Sequence, residues 1–135
     1  MLVAGIIELV EESKWVSPMI VQEKKTKGEI ISCVELRKLN DACVHDPFLT
    51  PFTDEVLDNV GGHEAYSFTD VFSGYHQIRI VLEDQHKMMF AREWGSFQYM
   101  VMPFGLKNAP SIFSRVVVTK FKDYIHKFSE VYFDD

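Results

Sequence analysis

Hydrophobic and polar positions along this chain follow two periods, one typical of helices and one typical of strands. Residues 2–11 place apolar side chains near a period of 3.6 and predict a short helix. Strands are predicted over residues 19–22 and over Ile30–Val34, on either side of a polar, lysine-rich turn at residues 24–29. These two strands are therefore expected to form a hairpin whose tip carries the densest basic cluster of the chain.

The middle of the chain predicts short elements separated by prolines and glycines. Residues 46–51 contain two prolines and are expected to be irregular, whereas residues 52–60 predict a short helix that a pair of glycines ends. A strand rich in aromatic residues is predicted over residues 65–68, and it leads directly to Asp70. A turn that contains a serine and a glycine is predicted to follow over residues 71–78.

The second half of the chain predicts a hairpin followed by a long helix. Strands are expected over residues 87–91 and 97–102, a loop over residues 103–106, and a helix that begins near Asn108. A final strand is predicted over residues 131–133. The apolar stripe of the helix comprises Ile112, Phe113, Val116, Val117, Phe121, Tyr124, Ile125 and Phe128.

Strands and helices that do not strictly alternate indicate an α+β domain, with a mostly antiparallel sheet and helices on one face. The length of 135 residues fits one domain, and 47% hydrophobic residues exclude a disordered tail. A net charge of −6 argues against a dedicated nucleic-acid binder but is compatible with an acidic active site. No apolar run approaches the roughly 20 residues that span a bilayer, so we expect no membrane partner. Cys33 and Cys43 lack CxxC spacing, which favours reduced thiols and an intracellular, cytoplasmic location.

Paired carboxylates end the chain, directly after an apolar run. If the strand that leads to Asp70 lay beside the strand that leads to Asp134 and Asp135, three carboxylates would meet. Such a cluster requires cations, because bare carboxylates in contact raise each other's pKa. Mg²⁺ suits hard oxygen ligands, with Mn²⁺ as an alternative, and two such ions would serve nucleotide addition. A solvated acidic edge is the alternative explanation.

Two further segments contain groups that could bind phosphate. Lys24 and its neighbours at the hairpin tip could bind a phosphate, although exposed turns favour lysine in any case. The turn at residues 72–75 contains a glycine, so its backbone N–H groups could bind phosphate oxygens and Tyr75 could stack under a sugar. An ordinary turn with a core aromatic residue is the alternative.

Six sequence blocks occur in order over nearly the whole chain. They are Trp15-Val16-Ser17-Pro18 with Lys24-Lys25; Val34-Glu35-Leu36-Arg37-Lys38-Leu39-Asn40; Phe68-Thr69-Asp70; Phe72-Ser73-Gly74-Tyr75-His76-Gln77-Ile78; Met102-Pro103-Phe104-Gly105-Leu106-Lys107-Asn108-Ala109-Pro110 with Phe113; and Tyr132-Phe133-Asp134-Asp135. Together they resemble the reverse transcriptase of gypsy-type LTR retrotransposons and, more distantly, that of retroviruses. The resemblance implies a right-hand polymerase fold, with fingers over roughly residues 1–62 and part of the palm over roughly residues 63–135.

The resemblance also implies a reaction and its residues. An RNA-directed DNA polymerase adds dNTPs to a primer 3′-hydroxyl on an RNA or DNA template, with Mg²⁺ held by a catalytic triad that here would be Asp70, Asp134 and Asp135. Lys24 would contact the triphosphate, and Tyr75 would lie under the deoxyribose and exclude a 2′-hydroxyl. The implied nucleotide-binding residues are Lys24, Arg37, Val71, Phe72, Ser73, Gly74, Tyr75 and Phe104.

Two departures from the family pattern bear on activity. The family usually carries a triphosphate-binding arginine where this chain has Ile31, and isoleucine offers no hydrogen-bond donor. Nothing follows Asp135, so the return strand, the thumb and the RNase H domain of a Pol polyprotein are not in this chain. We therefore expect a truncated enzyme that is weak or inactive; for an intact parent element, virus-like particles are a further expected location. The alternative is a non-enzymatic retrotransposon remnant or a protein- or RNA-binding fragment.

Overall fold

A computed structural model describes residues 2–11, 13–23, 30–48 and 52–133 of the chain. Its helices and largely antiparallel strands confirm the predicted α+β class. The elements in order are β1 (Ile7–Val10), β2 (Val16–Ser17), β3 (Met19–Glu23), β4 (Ile30–Val34), α1 (Arg37–Ala42), α2 (Thr53–Val60), a 3₁₀ helix (Gly74–Gln77), α3 (Leu82–Gln85), β5 (Met89–Arg92), β6 (Gly95–Tyr99) and α4 (Ala109–Phe121).

The larger sheet has four strands in the order β1-β6-β5-β2. Its centre is the β5–β6 hairpin, as the sequence predicts, in which Phe90 pairs with Phe97 and their rings stack at 5.9 Å. On one side β1 joins β6 in antiparallel register, with Ile7 opposite Tyr99. On the other side β2 pairs with β5 in parallel. The sheet therefore unites the start of the chain with its second half.

The helix predicted over residues 2–11 is wrong. The chain instead makes a turn, in which the N–H of Gly5 donates to the carbonyl of Leu2 at 3.0 Å, and then enters β1. Pairing with β6 gives one side of β1 its backbone hydrogen bonds and outweighs a weak helical period over a few residues.

The β3–β4 hairpin is confirmed, with Met19 opposite Val34 in antiparallel register. Its tip at residues 24–29 lies outside the described residues. The Nε of Arg92 in β5 contacts the Sδ of Met19 at 2.8 Å, and this contact connects the hairpin to the larger sheet.

The main apolar core lies between α1 and the start of β5. Its buried centre consists of Leu36, Leu39 and Met88. Half-buried side chains from the strands and loops pack around this centre; they are Trp15, Val34, Cys43, Ile80, Tyr99 and Leu106. Because Leu106 precedes α4, this core joins the first half of the chain to the loop that leads into α4.

The helix α2 agrees with the prediction for residues 52–60. It ends at Gly61, whose N–H donates to the carbonyl of Leu57 at 3.1 Å. Two carboxylates in its first turn, Asp54 and Glu55, stabilise the positive end of the helix dipole.

The helix α4 begins after Asn108, as predicted, but it ends at Phe121, before the apolar stripe does. Tyr124 and Phe128 lie in the turns that follow, where His126 has a positive φ of 64° that a helix does not tolerate. At 13 residues α4 is the longest helix of the described segments. Within those segments no helix has both the length and the apolar content that crossing a bilayer requires.

Two predicted strands are wrong. Residues 65–68 and residues 131–133 have no regular structure, and the side chain of Phe68 is 95% exposed. A strand needs a neighbour for its N–H and C=O groups, and neither segment is part of either sheet. The aromatic composition of these segments favours a strand, but composition does not determine whether a neighbouring strand is available to pair with.

Candidate active site

A tight turn follows Asp70 and builds one side of the candidate site. Ser73 adopts the left-handed conformation (φ 49°, ψ 43°), which reverses the chain before the 3₁₀ helix of Gly74–Gln77. The side-chain amide of Gln77 donates to the carbonyl of Phe72 at 2.8 Å and closes the turn. The predicted turn over residues 71–78 is thus a short 3₁₀ helix with its own hydrogen bonds.

The ring of Tyr75 lies in an aromatic cluster. It packs edge-to-face against Phe104 at a centroid distance of 5.0 Å and against Phe113 at 5.5 Å. His76 contacts the same Phe104 ring at 5.4 Å. Edge-to-face pairs fix ring orientation, so two neighbours define the orientation of Tyr75, while Phe104 remains 63% exposed.

Phe113 of α4 connects two distant parts of the chain. A Cβ on Gly74 would lie 2.7 Å from its Cε2 and Cζ atoms, so a larger residue there would force the ring of Phe113 to move. The ring of Phe133 approaches Phe113 at 6.2 Å with an interplanar angle of 82°. The turn that follows Asp70 and the segment that precedes Asp134 therefore contact the same aromatic ring.

The carboxylates themselves are only partly described. Asp70 is exposed, and no ion pair among the described residues involves it. Asp134 and Asp135 lie outside the described residues, so the triad stays a prediction. Within the described segments, no group of three His, Cys, Asp or Glu side chains could hold a metal. An exposed carboxylate is nevertheless the donor type that a hard divalent cation prefers.

Arg37 is engaged by its neighbour Glu35. The two side chains form an ion pair at 2.6 Å, and the backbone N–H of Arg37 donates to the same carboxylate at 2.9 Å. The side-chain and backbone hydrogen bonds from Arg37 hold the pKa of Glu35 below its usual value, and the carboxylate raises the pKa of Arg37. A nucleotide phosphate would therefore have to compete with Glu35 for this guanidinium.

The structure brings together most of the predicted nucleotide-binding residues. Those in the turn and the aromatic cluster are Val71, Phe72, Ser73, Gly74, Tyr75 and Phe104. Arg37 instead forms an ion pair with Glu35. Lys24 lies outside the described residues.

Sequence reasoning missed the role of Asn40, which connects α1 to the loop before α4. Its Nδ2 donates to the carbonyl of Gly105 at 2.8 Å, and its Oδ1 accepts from the N–H of Lys107 at 2.8 Å. Asn40 and Lys107 stand inside two of the blocks that carry the family resemblance, and those blocks were the available signal for this contact.

Comparison with known proteins extends these observations. Residues 19–135 match the family described as "Reverse transcriptase (RNA-dependent DNA polymerase)". The Pol polyprotein of the gypsy transposon from Drosophila melanogaster is 35% identical over 102 residues, which cover 76% of this chain and 10% of that protein. An RNA-directed DNA polymerase homolog from Oenothera berteroana is 32% identical over 103 residues, 76% of this chain and 72% of that protein. The chain thus spans about a tenth of the gypsy polyprotein.

Solved structures show the same fold. A foamy viral protease-reverse transcriptase in complex with double-stranded DNA aligns over 90% of this chain and 21% of its own, with a TM-score of 0.78 and 20% identity. The native prototype foamy virus protease-reverse transcriptase covers 89% of this chain and 16% of its own, with a TM-score of 0.73 and 18% identity. With a family match that extends from residue 19 to residue 135, the chain belongs to the reverse transcriptase family.

Proposed function

We propose that this chain forms the fingers and part of the palm of an RNA-directed DNA polymerase, encoded within a Pol polyprotein. The reaction would add dNTPs to the 3′-hydroxyl of a primer on an RNA or DNA template. One observation carries the proposal: the ring of Phe113 contacts both the turn after Asp70 and Phe133, the residue before Asp134. This common contact supports an arrangement in which the three carboxylates meet.

The three carboxylates would hold the divalent cations. Asp70 fits this role because its side chain is exposed and has no ion-pair partner among the described residues. Asp134 and Asp135 would complete the donor set with hard oxygen ligands of the kind that Mg²⁺, or alternatively Mn²⁺, prefers. When bound, the ions would lower the pKa of the primer hydroxyl and stabilise negative charge on the leaving pyrophosphate.

The turn and the aromatic cluster would bind the incoming nucleotide. The backbone N–H groups of residues 71–74 lie in a tight turn, which suits the oxygens of a triphosphate. Tyr75 would lie under the sugar ring, where its fixed orientation would exclude a 2′-hydroxyl. The exposed face of Phe104 would form the neighbouring wall of the pocket.

Primer extension tests the proposed reaction. On a primed homopolymer template with Mg²⁺, we expect the chain to incorporate dNTPs slowly, and Asp70→Asn to abolish incorporation because it removes an anionic ligand. Asp58→Asn on α2 is the matched control and should retain the wild-type rate. Equal incorporation by wild type and Asp70→Asn would refute the proposed triad.

Ile31 makes a specific prediction about nucleotide affinity. Isoleucine cannot donate a hydrogen bond to a triphosphate, so the wild-type chain should be a weak polymerase with a high KM for dNTPs. Ile31→Arg should lower that KM by about tenfold, the effect of one charge-assisted hydrogen bond. Ile31→Leu is the control and should leave the KM unchanged; an unchanged KM in Ile31→Arg as well would contradict the proposed role of this position.

A non-enzymatic, retrotransposon-derived polypeptide is the second candidate. The irregular conformation of residues 65–68 favours it, because the carboxylate of Asp70 then follows a segment that no sheet supports. Absence of incorporation in wild type and in Ile31→Arg, with Mg²⁺ or Mn²⁺ and with a cooperative unfolding transition retained, would select this candidate.

A further inference from the structure

Both ends of the Asn40 side-chain amide form hydrogen bonds to the loop that precedes α4. These two hydrogen bonds are called the Asn40 clamp. The Nδ2 donates to the carbonyl of Gly105 and the Oδ1 accepts from the N–H of Lys107, both at 2.8 Å. Only one orientation of the amide satisfies a carbonyl and an N–H at once. The clamp therefore fixes the loop to α1 across more than 60 positions of sequence.

The same loop also reverses its direction at the clamp. Gly105 has a φ of +92°, a conformation that side chains rarely adopt. Leu106 then packs against the core around Leu36, which directly precedes α1, and Leu39, which is next to Asn40 on α1. One polar and one apolar contact thus hold the loop against α1.

Phe104 directly precedes the clamped residues. Its ring is 63% exposed, so little of its own surface anchors it. The contact with Tyr75 at 5.0 Å therefore depends on the position of the backbone, which the bonds at Gly105 and Lys107 determine.

We propose that Asn40 is a positioning residue for nucleotide selection. Through the Asn40 clamp it holds Phe104 against Tyr75 and so maintains the shape of the wall that would meet the sugar of the incoming nucleotide. Asn40 itself contacts the loop and acts through Phe104. This inference rests on the proposed polymerase function, and it adds a residue to which neither the sequence nor the comparisons assign a role.

A second asparagine provides a matched control. The Nδ2 of Asn108 donates to the carbonyl of Val44 at 2.7 Å, and its Oδ1 accepts from the N–H of Asp46 at 3.1 Å. Like the Asn40 clamp, these bonds use both ends of an amide on a distant backbone segment. They hold residues 44–46 to the start of α4, however, and not the loop that carries Phe104.

The experiment compares Asn40→Asp with Asn108→Asp. Each substitution keeps the acceptor and removes the donor, so both variants should unfold at lower urea concentrations than wild type. Only Asn40→Asp should weaken the nuclear Overhauser effect between the rings of Tyr75 and Phe104. Only Asn40→Asp should also lower the preference for dTTP over UTP, measured as the ratio of their affinities with Mg²⁺. The expected decrease is about tenfold, the effect of losing one hydrogen bond.

Two results would overturn the inference. One is an Asn40→Asp variant that keeps both the ring contact and the nucleotide preference; the other is an Asn108→Asp variant that loses both to the same extent. If wild type binds neither nucleotide, the proposed function fails, and the ring contact alone decides whether Asn40 positions Phe104. If Asn40→Asp does not fold, Asn40→Ser removes both bonds without adding charge and should give the same result.

Discussion

At the scale of single residues, Gly74 is the described glycine at which an added Cβ would make the closest contact. A methyl group there would lie 2.7 Å from the ring of Phe113, well inside van der Waals contact. We expect Gly74→Ala to lower the free energy of unfolding by about 1–3 kcal/mol, the usual cost of overpacking. Urea denaturation of the two proteins measures this difference.

Two further variants test that explanation. Gly61→Ala should change stability little, because its new Cβ would meet backbone oxygens at 3.4 and 3.5 Å, which is ordinary contact. Phe113→Leu should restore part of the stability lost in Gly74→Ala by removing the atoms that clash. If the double variant is as unstable as the sum of the single variants, the steric explanation is wrong.

The Glu35–Arg37 pair predicts a dependence of stability on pH. Because the hydrogen bonds from Arg37 depress the pKa of Glu35 below its ordinary value of 4.5, the carboxylate stabilises the fold above that value. This contribution is lost as the pH falls through the depressed pKa. Wild type should therefore lose more stability than Glu35→Gln between neutral pH and the pH range below 4.5. Parallel losses in thermal melts of both proteins would exclude a role for the pair.

Sequence reasoning named candidate residues of the site but did not predict the contacts between them. Gly74, Tyr75 and Phe104 stand in short blocks with a recognisable order, so they could be named before any fold was known. The contact of Phe113 with Phe133 depends on where α4 packs, and no local pattern encodes that. The Asn40 clamp could not be predicted for the same reason, since the hydrogen-bond partners of Asn40 lie more than 60 residues away in sequence.

At the scale of elements, the strand predictions that were confirmed are those of strands that pair with a neighbour in sequence. The hairpins β3–β4 and β5–β6 each pair two strands that are close in sequence, so alternation and turn residues predicted them. The strand β1 pairs with a partner near residue 99, and its weak helical period gave the wrong element. Residues 65–68 and 131–133 have the composition of strands but no sheet partner.

This difference between elements predicts a pattern of hydrogen exchange. The amides of β5 and β6 are paired and their central side chains, Phe90 and Phe97, are buried, so they should exchange slowly. The amides of residues 65–70 should exchange close to the rate of an unfolded peptide, because the segment is exposed and irregular. Mass spectrometry of deuterated peptides measures both. Comparable protection of the two regions would mean that residues 65–70 are paired in solution.

At the scale of the whole molecule, exposed aromatic side chains favour self-association, whereas the net charge opposes it. Phe68 and Phe72 are 95% and 86% exposed and lie near each other in sequence, whereas a net charge of −6 keeps copies of the chain apart. We expect self-association to increase when salt rises from about 0.1 M to about 1 M, because screening shortens the Debye length from ~10 Å to ~3 Å. Light scattering as a function of salt measures this association.

A pair of variants separates the aromatic segment from exposure in general. Phe68→Ser should reduce association at high salt, whereas Trp94→Ser, which removes an isolated ring that is 79% exposed at the β5–β6 turn, should not. Equal reductions in both variants would show that the segment around Phe68 has no special role in association.

The order of strands in the larger sheet has a consequence for synthesis on the ribosome. Ile7 pairs with Tyr99, which is added 92 residues later (99 − 7), and at about 5–20 residues per second this takes roughly 5–20 s. The β3–β4 hairpin can close soon after Val34 is added, 15 residues after Met19 (34 − 19), but β1 and β2 must wait for β6 and β5. Slow codons between these points would prolong the time during which two unpaired strands can meet the wrong partner.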